Sequence, residues 1–248
     1  MWEKITRALP ISFLLLLSAT SFASNPAVQD AINHAKDLMH DQRLSSAKSY
    51  LDRAIALDPN NVDARLDRAY VLSQLGEASD ALKDLDVVFK QGKYQLAYQY
   101  RSEVMFMLGE PKKSLEDISV ALSMATSDES KLYSLERRAE LYSFFKKPEK
   151  ALVDVTAAMA LKNVPHPKNS GPVLLNKRAH IYLELGDYEK AIADFTSLLA
   201  TKKPNDVGRA RLYALRSAAY EKIGRHDLAE ADKKKSDAAN NKEYFDLK

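Results

Sequence analysis

Sixteen residues after each of five arginines in this chain stands an aspartate: Arg68/Asp84, Arg101/Asp117, Arg138/Asp154, Arg178/Asp194 and Arg216/Asp232. A guanidinium and a carboxylate at one recurring offset can do one of two things. Stacked arginines could collect an anion, because the planar fork matches a carboxylate or phosphate. Alternatively each Arg grips its own Asp in a bidentate contact that fixes two elements in register, worth ~0–1 kcal/mol if the pair is exposed. Since every Arg has its own Asp, the second reading is preferred. Other chemistry is not encoded. There is no Gly-rich phosphate loop, no Gly-x-Ser-x-Gly, no His-Glu-x-x-His and no cysteine. The histidines at 34, 40, 166, 180 and 226 are scattered, and no carboxylate is singled out by spacing. No catalytic residue, cofactor or metal site is therefore expected.

The elements that carry these pairs repeat with them. One residue after each Arg comes a small side chain, Ala69, Ser102, Ala139, Ala179 or Ser217. At the fourth and seventh places come Leu72/Leu75, Met105/Leu108, Tyr142/Phe145, Tyr182/Leu185 and Tyr220/Ile223, which keep one helix face apolar. At the eighth stand Gly76, Gly109, Gly186 and Gly224, with Lys146 in the odd copy, where a helix C-terminal cap favours Gly. Five further on, Ala81, Ser114, Ala151, Ala191 and Ala229 open a second helix, small enough for close antiparallel packing. Each copy therefore reads as a helix hairpin, with Arg on its first helix and Asp on its second.

A weaker copy precedes these, with Ala35, Leu38, Ala47, Leu51 and Ala54 in place and His34 and Gln42 standing for Arg and Gly. The small residues from Ala47 to Ala229 are 34, 33, 37, 40 and 38 residues apart. Small residues, Tyr or Leu, "LG", Ala and the closing "ALDPNN" make the chain resemble the tetratricopeptide repeat family. That resemblance implies an all-α fold, a right-handed superhelical solenoid of about six TPR-like hairpins with a C-terminal capping helix. The array is expected over 24–240, with 241–248 as a tail. In the last copy Lys233 and Ser236 replace the apolar pair seen at Leu85/Val88 and Phe195/Leu198, as the polar outer face of a capping helix would. "KNVPHPKNSGP" is expected to be a stretched loop, and Thr126 with Glu129 to form a capping box.

On each first helix the residues two before, two after and five after the Arg share a stripe. In the family resembled, that stripe lines the concave surface and binds partner segments. Read in order it includes Ile32, Lys36 and Met39, then Leu66, Tyr70 and Ser73, then Gln99, Glu103 and Phe106, then Glu136, Glu140 and Ser143, then Asn176, His180 and Leu183. Met107 and Phe144 flank it. The candidate partner-binding residues are accordingly Tyr70, Glu103, Phe106, Met107, Glu136, Glu140, Phe144 and His180. An apolar and acidic middle suits basic–apolar peptide segments of a protein partner, unless the aromatics merely pack between hairpins.

The opening "MWEKITRALPISFLLLLSATSFAS" places Lys4 and Arg7 before an apolar run and ends in small residues. It reads as a signal peptide over 1–23, cleaved near Ala23, and is too short for the ~20-residue span of a stable membrane anchor. The whole chain has 37 basic and 34 acidic residues, a balance that does not point to nucleic acid. Lys233, Lys234 and Lys235 read as a solvated face. Together these features describe a noncatalytic, exported interaction scaffold or adaptor of the bacterial periplasm. The alternative is an accessory subunit that binds cell-wall glycan or a small ligand.

Overall fold

The computed structural model describes residues 25–162, 167–201 and 206–246, with side chains over 25–162, 171–201 and 208–239. The expected signal peptide and His166 lie outside the described residues. Described residues contain twelve helices and no strand: α1 (Pro26–His40), α2 (Leu44–Leu57), α3 (Val62–Gln74), α4 (Ala78–Gln91), α5 (Gln95–Met107), α6 (Pro111–Met124), α7 (Asp128–Phe144), α8 (Pro148–Met159), α9 (Pro167–Leu185), α10 (Tyr188–Ala200), α11 (Asp206–Lys222) and α12 (His226–Asp246). They pair in chain order as six hairpins, α1 with α2 through α11 with α12. Packing divides them into two units. One ends at Gln91 and holds α1 to α4; the other begins at Gly92 and holds α5 to α12.

Every hairpin turns by the same backbone device. Gly76 N–H donates to Ser73 O at 3.0 Å and Glu77 N–H to Leu72 O at 2.8 Å, the paired bonds of a Schellman cap. The residue at the turn must be left-handed, and Gly76, Gly109, Gly186 and Gly224 have φ of 81°, 76°, 75° and 73°. An added Cβ would meet nothing within 4 Å at any of them, so conformation and not space selects Gly. Gln42 and Lys146 hold φ of 59° and 56° at the same place without that freedom.

Close approach within a hairpin rests on the small residues. Ala47, Ala81, Ser114, Ala151 and Ala191 are all 0% exposed, and Ala229 is 1%. Serine is tolerated at this seam because its hydroxyl is satisfied: Ser102 Oγ donates to Ser114 O at 2.8 Å and Ser217 Oγ to Ala229 O at 2.7 Å. Hairpins then stack through the far face of the second helix. Val155 and Ala158 of α8 bury themselves with Leu174 and Ile181 of α9, and Ile118 and Ala121 of α6 with Leu141 of α7.

Four local expectations are corrected. Ser127, not Thr126, caps α7, accepting from Ser130 N at 3.2 Å; the third helical place is then Ser130, so Glu129 closes no capping box. The expected loop "KNVPHPKNSGP" is helical from Pro167 onward, with Pro172 inside α9. Because α9 is packed against α8 and α10, its tertiary contacts sustain a turn that Pro172, which lacks an N–H, weakens. α12 runs through Asp246, past the expected start of the tail at 241. Lastly, Ser236 is not on a polar outer face. It is 6% exposed and donates Oγ to Ala210 O at 2.9 Å, while Lys233 is exposed.

Candidate partner-binding face

All five recurrent pairs form, each inside its own hairpin and each bidentate. Nε and Nη2 reach the two carboxylate oxygens at 2.7 and 2.7 Å in Arg68/Asp84, 2.8 and 2.7 Å in Arg101/Asp117, and 2.7 and 2.6 Å in Arg138/Asp154. Arg178/Asp194 gives 2.8 and 2.7 Å, and Arg216/Asp232 gives 2.6 and 2.9 Å. Burial decides between the exposed and the buried form of the pair, which the sequence leaves open. Asp117, Asp194 and Asp232 are buried, at 6%, 5% and 2% exposed, as are Asp84 and Asp154 at 1% and 2%. These carboxylates are structural groups inside the hairpins and not surface charges. Their hydrogen bonds raise the pKa of Arg68, Arg138, Arg178 and Arg216, with burial acting against them. Occupied on both prongs, the arginines are ties and not an anion site. Two tie hairpins together as well: Arg68 Nη1 donates to Asp52 of α2, and Arg216 Nη1 to Thr196 of α10, at 2.7 and 2.8 Å.

The stripe divides by burial. Its first place is buried in the first three hairpins, where Ile32, Leu66 and Gln99 are 2%, 6% and 5% exposed, but Glu136 and Asn176 are half-buried and Ala214 is exposed. Gln99 Nε2 donates to Ser134 Oγ at 2.9 Å, which joins α5 to α7. Tyr70 belongs to the unit ending at Gln91 and packs partly against Ala35, Ala47, Leu51 and Val71. The other seven candidates all lie in the second unit.

There Phe106 is half-buried beside Ile118, Ala121 and Leu141, with the Arg137 guanidinium 4.9 Å above its ring. Phe144 meets it edge-on at 5.4 Å and is itself 57% exposed; Met107 is 45% exposed. Packing thus claims Phe106 and leaves Phe144 and Met107 to solvent. Glu103 is half-buried. The two remaining acids are already engaged, since Lys177 reaches Glu140 at 2.7 Å and Glu136 at 3.9 Å, and Arg137 reaches Glu140 at 3.2 Å. Lys177 and Arg137, each one residue before an origin Arg, were outside the stripe read from sequence. The other copies carry Asp67, Tyr100 and Leu215 at that place, so no repeated residue type marked it in the sequence.

Between α7, α9 and α11 lies an open cavity of ≈ 420 Å³ lined by Ala139, Val155 and Ile181 below and by Glu140, Lys177, His180, Glu184 and Arg211 around it. His180 stands edge-on to Phe195 at 6.0 Å. Burial, and then Arg211, push its pKa down, while Glu184 opposes them. Among the described residues no group of three His, Cys, Asp or Glu is placed to hold a metal ion, and no helix is long and apolar enough to cross a membrane.

Models of the tetratricopeptide repeat match residues 38–100 and 173–203. No curated protein sequence matches the chain. Among solved structures, the pilF protein of Pseudomonas aeruginosa superposes with a TM-score of 0.67 at 15% identity, over 84% of this chain and 89% of its own. PilW, a widely conserved type IV pilus biogenesis factor, gives 0.67 at 16% identity, over 84% of this chain and 91% of its own. A thermophilic TPR protein of Thermus thermophilus gives 0.59 at 19% identity, over 76% of this chain and 98% of its own. At these identities the likeness is one of fold.

Proposed function

Because the chain carries tetratricopeptide repeats, we propose that it is a noncatalytic scaffold that holds segments of other proteins on the first-helix face of its second unit, in the periplasm after removal of the 1–23 leader. The observation that carries this reading is the pair Phe144 and Met107. Two large apolar side chains stand in solvent at the ends of α7 and α5, and α7 also contributes Ala139, Glu140 and Ser143 to an open cavity with an apolar floor and a charged rim. Buried aromatic anchors surrounded by polar rims are the usual source of interface affinity. Glu103, Phe106, Glu136, Glu140 and His180 are proposed as supporting residues on that face, with Phe106 positioning Phe144 through their edge-on contact; Tyr70, in the first unit, is proposed only for the corresponding face of that unit.

The mature protein, affinity-purified from an osmotic-shock fraction, should begin at Ser24 and bring polypeptide with it. That polypeptide should be lost from a Met107→Ala/Phe144→Ala variant. Retention of Met1 in the membrane pellet overturns the location; glycan in place of polypeptide overturns the partner class.

A further inference from the structure

The cavity between α7, α9 and α11 adjoins a second one of ≈ 280 Å³, bounded by Leu198, Leu212 and Leu215. Asn176 and Arg211 line both. A cation and an amide therefore stand where the two cavities share a wall, with apolar surface on either side. The other charges are engaged or peripheral. Lys177 is held by Glu140 and Glu136, and Glu184 lines the larger cavity alone. Arg211 is exposed, and among the described residues it makes no hydrogen bond or ion pair.

Resting on the reading of this face as a polypeptide groove, we propose that the bound segment places an internal acidic side chain on Arg211 and Asn176, with apolar residues on both sides of it entering the two cavities. An Arg fork and an amide donor are both suited to a carboxylate, and the contact is charge-assisted. The source is a side chain and not a chain end, because a terminal carboxylate on Arg211 would leave one of the two cavities without chain to fill it. With Glu136 and Glu140 already neutralised by Lys177 and Arg137, the charge still unmet at the shared wall is positive.

The test uses the mature chain and three N-acetylated, C-amidated heptapeptides whose central glutamate, glutamine or lysine is flanked by leucines, with a fourth ending in a free carboxylate. Binding is read by fluorescence anisotropy and located by amide chemical shifts. The glutamate peptide should bind about 10-fold more tightly than the glutamine peptide, the ratio expected of one charge-assisted contact. Arg211→Gln should erase that ratio, and Arg225→Gln, an equal charge change in the turn between α11 and α12, should preserve it. Tightest binding of the lysine peptide, equal binding of all three, or binding of only the free-carboxylate peptide overturns the acidic side chain and leaves the groove. Absence of shifts on α7, α9 and α11 with every peptide removes the groove reading too.

Discussion

Arg138 and Asp154 face each other across the α7/α8 hairpin, Nε and Nη2 standing 2.7 and 2.6 Å from the two carboxylate oxygens. The carboxylate is 2% exposed and the Arg side chain 22%. This is a buried tie, unlike the exposed pair that sequence alone would allow, and Asp117, Asp194 and Asp232 are buried against their own arginines in the same way. Removing one partner leaves the other charge buried and unmatched, a loss of about 3 kcal/mol. Asp154→Asn should therefore lower the unfolding free energy read from urea titration by that amount with helicity retained, and the loss should change little with salt, since burial limits screening. A variant as stable as the wild type would mean that the recurrent spacing does not fix register.

Lys146 offers the opposite sign. It occupies the left-handed place of a Schellman cap at φ 56°, where four sister hairpins use Gly. Relief of the Cβ clash is worth about 1–2 kcal/mol, and the added freedom of Gly in the unfolded chain offsets part of it. Lys146→Gly should raise stability by about 1 kcal/mol in thermal melts. A loss would show that the Lys side chain contributes more than its backbone costs.

Asp67 on α3 should weaken its unit as pH rises. Burial pushes its pKa up to about 6, Lys36 at 3.8 Å lowers it less, and Oδ2 accepts no hydrogen bond among the described residues. A carboxyl whose folded pKa exceeds its unfolded value contributes stability that is full below about 4 and lost as pH rises through about 6. Asp67→Asn mimics the protonated form. It should match the wild type near pH 4 and exceed it by about 2–3 kcal/mol at pH 7, a difference readable from paired urea titrations. Parallel curves across that range would place the carboxylate in water.

The repeat was legible because its causes are local. A left-handed turn, a small seam residue and an ion pair each favour a residue type at a fixed offset, and four of the five copies display all three together. Burial of the stripe was less legible because it depends on the neighbouring hairpin. Gln99 looks like a groove residue in its own helix, and only Ser134 on α7 shows it to be an interhelical contact. The acidity of Glu136 and Glu140 was cancelled by a lysine on α9, 37 residues beyond Glu140. The helical start of α9 was hidden by Pro167 and Pro172, whose local meaning is a break and whose outcome was set by packing.

Partner capture by the second unit's first-helix face is the central claim, and one titration tests it most directly. The copurified polypeptide, measured against wild type and Phe144→Ala, should lose about 30-fold or more in affinity, the ~2 kcal/mol typical of an exposed aromatic anchor. Because Phe144 is 57% exposed, the thermal midpoint of the variant should stay that of the wild type. Unchanged affinity in Phe144→Ala, together with loss of binding in Lys234→Glu on α12, would contradict the account and move the interaction to the C-terminal helix.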